Sequence, residues 1–315
     1  MAVSNKNLFQ QNTDLEVIEL LLPYLTSNYF LDIGAAKGEF TRFFFQHELN
    51  GAFFEPLSDY KKELSELARK TKCLFFPYAI DDHDHLADFY QAFDKNNKDA
   101  MHFSSLHPLI NDARINHKKT SSVQCRSINS LINEGLITRS IGIIKIDTEG
   151  NDLNVLKGMD DIQTDILMCE FFMPKIYKGW QQGHPDGLIQ QAKKLGFNHC
   201  LSIRRIGIVE SVALDNDSFV DKQWGNLIFI SDHMYEQSKH ILFNYVEQKE
   251  KYFISTAIMK FAELQDVCDE RQILIDKLQQ ICDERLAMIK KLSIKTAWFH
   301  KIKLKIKNQL MRYTQ

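Results

Sequence analysis

Tyr29-Phe30-Leu31-Asp32-Ile33-Gly34-Ala35-Ala36-Lys37-Gly38 (residues 29–38) is the stretch that decides the fold. An apolar run of strand length ends in an acid and enters a glycine-punctuated turn. FTRFFFQHE (40–48), with helical character, follows. The unit then recurs: GAFFEP (51–56) precedes SDYKKELSELARK (58–70), and IGIIKID (141–147) precedes NDLNVLKGM (151–159). KCLFFPYAI (72–80), DILMCEF (165–171), HCLSIRR (199–205) and NLIFIS (226–231) are further runs of strand length. Continuous apolar strands alternating with helices predict a mostly parallel sheet covered on both faces. Right-handed crossovers make it doubly wound. The expected fold class is therefore α/β, with ligands bound beyond the carboxyl ends of the strands.

Around this frame lie three less regular parts. DLEVIELLLPYL (14–25) reads as an amphipathic helix with Asp14 near its start and Pro23 disturbing its end. Residues 82–128 are polar and rich in His, Ser and Asn, which predicts a short strand or hairpin and a long loop, either a lid or a solvated surface loop. From about Tyr235 onward Pro and Gly vanish, and VCDERQILIDKLQQ (267–280) is echoed by ICDERLAMIKKLSI (281–294). The period of two heptads puts Leu264, Arg271, Leu278, Arg285 and Leu292 on one seam and Val267, Leu274, Ile281 and Met288 on the other. This is a coiled-coil pattern with Arg recurring in the core, pointing to register control or a loose stalk; a single helix packed on the body is the competing reading. The expected domains are 1–235, a helical coiled-coil segment 236–294, and a basic amphipathic tail 295–315.

Charge is divided unevenly. The net charge is −2, yet from Leu286 to the end there are eight Lys or Arg and no acid. Lys301, Lys303, Lys305 and Lys307 alternate with Ile302, Leu304 and Ile306, so the tail suits an anionic membrane surface or an acidic protein partner. The basic patch is short and the body acidic, so nucleic acid is not an expected partner. The six cysteines form no C-x-x-C pair, the first residues lack an apolar signal core, and no apolar run reaches about 18 residues. A cytoplasmic protein with reduced thiols is the expectation, placed peripherally at the inner face of the membrane if the tail docks there.

The chemistry sits at the strand ends. In Gly34-Ala35-Ala36-Lys37-Gly38 the place of a dinucleotide site's second glycine is taken by Ala36, and that of the third by Glu39, which would repel phosphates. Asp32 followed by this spacing fits a ligand with an amino-acid end, such as S-adenosylmethionine, with Asp32 holding the ammonium directly or through water. Glu55, 17 residues past Gly38, suits the two ribose hydroxyls, and Asp81 suits the adenine amino group. Candidate cofactor contacts are thus Asp32, Gly34, Ala35, Lys37, Gly38, Glu55 and Asp81. Lys145-Ile146-Asp147-Thr148-Glu149 alternates three charges on one face of a strand end. Burial would be costly, so these charges must pair with each other, with water or with a ligand. Glu170 reaches the same crevice edge.

DIGAAKGEFT (32–41), FFEP (53–56), IIKIDTEGNDLNVLKGM (143–159) and ILMCEF (166–171) resemble, in order and spacing, the FkbM family of methyltransferases over residues 28–172; SSL (104–106) also fits. The resemblance implies a class I, Rossmann-like methyltransferase fold with seven strands, the last antiparallel. It implies O-methylation, often of sugar hydroxyls or polyketide-type products, with Asp32, Gly34 and Gly38 in the cofactor loop and Glu55 as the ribose acid. The tail resembles those of bacterial surface-polysaccharide enzymes, which implies a glycan substrate, while the coiled-coil pattern itself leads to the expectation of a homo-oligomer. A base must remove the hydroxyl proton: Asp147, Glu149 or His102, beside Lys145. Alternatively a divalent metal on Asp147, Glu149 and Glu170 lowers the hydroxyl pKa. Two other classes remain open here: an NAD-dependent oxidoreductase, and a non-catalytic coiled-coil scaffold with a degenerate nucleotide domain.

Overall fold

The computed structural model describes residues 12–312 apart from 95–99, 111–114, 161, 176, 208 and 216–217; the side chains of 209, 256–264, 266–268, 282, 286 and 288–312 also lie outside the description. The chain forms two compact units, Met1–Phe253 and Ile254–Gln315.

In the first unit eight strands form one sheet in the order β10-β9-β11-β8-β7-β1-β2-β3. The strands β1 (Tyr29–Ile33), β2 (Asn50–Phe54), β7 (Ser140–Ile146), β8 (Gln163–Phe172) and the edge strand β3 (Leu74–Phe76) run parallel. β11 (Trp224–Ile230) inserts antiparallel between β8 and β9 (His199–Ile206). Seven of these strands, the antiparallel β11 among them, are those anticipated. The eighth, β10 (Val209–Leu214), was not anticipated and extends the edge as a hairpin with β9.

Alternation along each strand sorts the core into two layers. Phe30, Ile143, Ile166, Met168, Ile228 and Ile230 face α1 (Thr13–Leu21), α2 (Glu39–Gln46), α3 (Lys61–Thr71) and the start of α7 (Asp232–Arg312). Leu31, Ile33, Ile144, Ile146, Leu167 and Phe229 face α4 (Ile128–Asn133), α5 (Asp152–Lys157) and α6 (Pro185–Lys194). Both faces are dry, which is why the strands read as unbroken apolar runs.

Two local expectations change. KCLFFPYAI is not one strand. Pro77 has no N–H for a ladder, so the run splits into β3, beside β2, and β4 (Ala79–Ile80), which opens a second sheet. That sheet has the order β4-β6-β5. The anticipated short hairpin and loop is instead a long antiparallel pair, β5 (His85–Asp94) with β6 (Ile115–Arg126), bulged at Phe89/Tyr90. Asp14 lies in the first turn of α1, near its start as expected, and the cap ahead of it is Asn12, which accepts from the Asp14 N–H at 3.0 Å. Asp14 turns inward, where Arg205 reaches it at 2.8 Å.

The first unit runs past the composition change at 235. Met234, Ser238 and Leu242 of α7 are buried, and the Tyr245 hydroxyl donates to Glu16 at 2.7 Å. In the second unit the described backbone is helical to Arg312, and Ile273, Leu274, Ile275, Leu278 and Ile281 are exposed. Of the proposed seam, the side chains of Leu264, Val267, Met288 and Leu292 lie outside the described residues, as do those of the 295–315 tail. Cys73, Cys125 and Cys169 are buried free thiols, and Cys200 is half-buried. No helix among the described residues is long and apolar enough to cross a membrane.

One polar contact crosses the centre of the sheet. Asp32 of β1 and Lys145 of β7 are register partners, and the Lys145 ammonium lies 3.2 Å from Asp32 Oδ1. Both are buried, and the Thr41 hydroxyl of α2 donates to Asp32 Oδ2 at 2.7 Å. Removing one member of such a pair leaves an uncompensated buried charge. Lys145→Met is expected to cost about 3–5 kcal/mol in urea unfolding. Lys145→Met/Asp32→Asn, which removes both charges, is expected to recover part of that loss; an additive loss would show that the two residues act separately.

Candidate active site

The strand order reverses at the β1/β7 junction, where chain leads away to β2 on one side and β8 on the other. A crevice must open there beyond the carboxyl ends. A cavity of about 480 Å³ fills it. Its floor is Ile33, Lys145, Asp147, Thr148, Glu149 and Glu170, and one side is the Gly34–Lys37 turn with Glu55. The second sheet closes the far side with Tyr78, Ala79, Ile80 and Phe89, joined by Met101, His102, Ser104 and Leu106. The volume falls in the range of about 300–1,000 Å³ usual for small-molecule sites.

The turn after β1 is held from behind. The Gly34 and Ala35 N–H groups both donate to Phe54 O at 3.0 Å, and the Ala36 N–H donates to Glu55 Oε2 at 2.9 Å. Gly34 has φ +74°, and a Cβ there would lie 1.9 Å from the Asp147 carbonyl oxygen. Gly38 has φ +76°, and its Cβ would lie 2.5 Å from Leu67 Cδ2. The two glycines therefore admit protein neighbours, the β7 exit and α3, and Gly34 also lines the cavity as the sequence suggested. Ala35 and Lys37 line the cavity; Gly38 does not.

Glu55 has one oxygen on the Ala36 N–H and the other on the Leu57 N–H at 2.9 Å. Burial nevertheless pushes its carboxyl up to about 7. Asp32 does not reach the cavity: its side chain is fully buried behind the turn and engaged by Lys145 and Thr41. Its place is that of a support for the turn. Asp81 is also absent from the wall. Its backbone N–H bonds Arg126 O at 3.0 Å, and its Oδ2 lies 3.6 Å from His85 Nε2. Ala79 and Ile80, just before it, line the cavity in its stead.

The Lys145 ammonium sits 2.8 Å from the Gly34 carbonyl oxygen and 3.4 Å from Asp147 Oδ2, besides Asp32. Burial alone would lower its pKa, but Asp32 and Asp147 outweigh that and hold it above the ordinary lysine value. Asp147, Glu149 and Glu170 each place a carboxylate oxygen within 4.8 Å of the others. Burial, then the Asp147 charge, drives Glu149 and Glu170 well above the usual carboxylate range.

Several residues invisible in the motif pattern support this floor. The Tyr177 hydroxyl donates to Glu149 Oε2 at 2.5 Å, and the Ser105 hydroxyl to Glu149 O at 2.6 Å. Asp152 takes the Thr148 N–H at 3.0 Å on one oxygen and the Glu170 N–H at 2.8 Å on the other, tying β7 to β8; burial raises it to about 6. Ser105 belongs to the SSL signal. Tyr177 carried no signal, since its contact is made across 28 residues of chain. His102 lines the cavity and stays exposed to solvent.

These features fit a nucleoside with an amino-acid end: a carboxylate beside the turn for ribose, an apolar flank at Ile80 and Phe89, and Lys37 at the turn. A model of the methyltransferase FkbM domain matches residues 32–199, more than half of the chain. No curated protein matches it. Among solved structures the chain is similar to a precorrin-6y C5,15-methyltransferase from Geobacter metallireducens GS-15, at 9% identity, covering 74% of this chain and 94% of that one, with a TM-score of 0.34. The oxidoreductase and scaffold readings give way to the family match: the chain belongs to the FkbM methyltransferase family and is an S-adenosylmethionine-dependent methyltransferase.

Proposed function

We propose that this enzyme methylates a hydroxyl of a sugar during the assembly of bacterial surface polysaccharide. One observation carries the reading: the Gly34–Lys37 turn, Glu55 and the acidic floor open into a single cavity, so a cofactor side and a polar acceptor side are continuous. A floor of carboxylates suits an acceptor rich in hydroxyl donors. The family resemblance and the tail supply the glycan context.

Bound S-adenosylmethionine supplies an electrophilic methyl group: the acceptor oxygen forms the new C–O bond, the C–S bond breaks onto sulfur, and the hydroxyl proton leaves. The chain's residues do the rest. Glu55 accepts from the ribose hydroxyls while holding the turn through Ala36. Lys37 meets the carboxylate of the amino-acid end. Lys145 fixes Asp147 so that the floor keeps one geometry as the acceptor docks. His102, facing both cavity and solvent, receives the proton and returns it to water.

The tail is assigned to assembly and placement. Its exposed apolar residues with the 14-residue repeat favour a homo-oligomeric coiled coil, and the eight cations from Leu286 onward favour docking on an anionic membrane from the cytoplasmic side. The reading divides the chain into a catalytic body, a coiled coil and a basic tail.

Incubation with methyl-labelled S-adenosylmethionine and cell-surface glycan precursors is expected to place label on a sugar oxygen; label on nitrogen or carbon would sink the O-methylation reading. His102→Gln is expected to lower kcat about 10²-fold with cofactor affinity kept within about threefold. Asp147→Asn should also slow turnover with affinity intact, and unchanged turnover would remove Asp147 from the mechanism. Ionised Glu55 is the better acceptor of two hydroxyls, so calorimetric affinity for S-adenosylmethionine is expected to rise as pH is raised through about 7. Glu55→Gln should weaken binding about tenfold and flatten that rise.

A further inference from the structure

We infer that Asp147, Glu149 and Glu170 form a binding site for a hard divalent cation, of the magnesium or manganese kind, which takes the acceptor hydroxyl as a ligand. The inference rests on the O-methylation reading for its acceptor, but the ion site stands on its own observations.

The first is convergence on rigid elements. Asp147 and Glu149 leave β7, and Glu170 lies on β8, its register partner strand. Their ligand oxygens fall within 4.8 Å of one another because the sheet sets the spacing. All donors are carboxylate oxygens, the set that hard cations prefer over zinc or copper.

Missing compensation is the second. The Lys145 ammonium is spent on Asp32, Asp147 and the Gly34 carbonyl. Among the described residues no ion pair reaches Glu149 or Glu170. Glu170 Oε2 is closed off from solvent and has no hydrogen-bond partner. A buried carboxylate oxygen left in that state is costly unless something positive meets it.

Around the cluster lies an orienting shell of the sort that metal ligands require. The Tyr177 hydroxyl occupies Glu149 Oε2, leaving Oε1 for an ion. Asp152 fixes the Glu170 backbone, and Ser105 fixes that of Glu149.

Three monodentate carboxylates on a six-coordinate ion leave about three positions for water or acceptor oxygens. Two adjacent positions suit a vicinal diol, as on a sugar ring. The ion lowers the pKa of the coordinated hydroxyl. Its proton passes to His102 and then to water, the oxygen pair forms the C–O bond, and the C–S pair stays on sulfur; nothing is oxidised or reduced.

The test is manganese titration of the full chain, followed by electron paramagnetic resonance, with S-adenosylmethionine calorimetry alongside. Saturable binding of one ion per chain is expected, weakened about tenfold or more in Glu170→Gln and Glu149→Gln, with cofactor affinity within about threefold of the parent. Should either variant not fold, the parent decides: manganese is expected to raise its Tm by mass action, and chelation to reduce turnover at least about tenfold until magnesium is returned. No saturable manganese binding, equal binding in Glu170→Gln, or full turnover after chelation would each overturn the inference. The cofactor titration reads the methyltransferase site separately, so its failure is distinguishable from failure of the ion site.

Discussion

The buried Asp32–Lys145 pair is the constraint from which the active site is built. Two charges inside a parallel sheet cost free energy unless each is met by the other and by further hydrogen bonds. Here Thr41 completes Asp32, and Asp147 with the Gly34 carbonyl completes Lys145. The same contacts join the first turn to the exit of β7. A register slip between β1 and β7 would break the pair, so the network selects one alignment of the strands whose ends make the cavity.

A second layer of support follows the same logic one step outward. Asp152 spans the ends of β7 and β8, Glu55 pins the turn to the end of β2, and Tyr177 and Ser105 hold Glu149. Loops that bind small molecules are usually the least stable parts of a fold. Here Glu55 both fastens the turn and lines the cavity, so at that point rigidity and binding capacity come from the same side chain.

What could be read in the sequence follows from how local each signal is. The strand runs come from periodicity within one segment and the doubly wound, mostly parallel sheet from the topology rules that follow, whereas the antiparallel last strand came only with the family resemblance. Gly34 was legible as necessary, but not why, because its neighbour is the Asp147 carbonyl 113 residues away. The same holds for Asp32: an acid at a strand end looks the same whether it faces the ligand or a lysine on the next strand. Pro77 was visible, yet its effect, sending β3 and β4 into different sheets, depends on β6 being there to pair with β4. The β5–β6 hairpin was hidden because its outer face is polar and its partner strands lie far apart in sequence, which made it look like loop.

The acids of this site also set a conflict between stability and chemistry. Burial is the largest cause of the raised values of Glu55, to about 7, and Asp152, to about 6. Their unfolded values lie near 4.5 and 3.8. Between those limits the folded state binds more protons than the unfolded chain, so their contribution to stability falls as pH rises from about 4 to about 7. Working with these groups ionised therefore means working where they stabilise the body least. The burden is tolerable because it falls on a sheet dry on both faces, with apolar side chains packed above and below every inner strand. A thinner core could not keep this many carboxylates at one edge, which is a physical reason for such a site to sit on a doubly wound sheet.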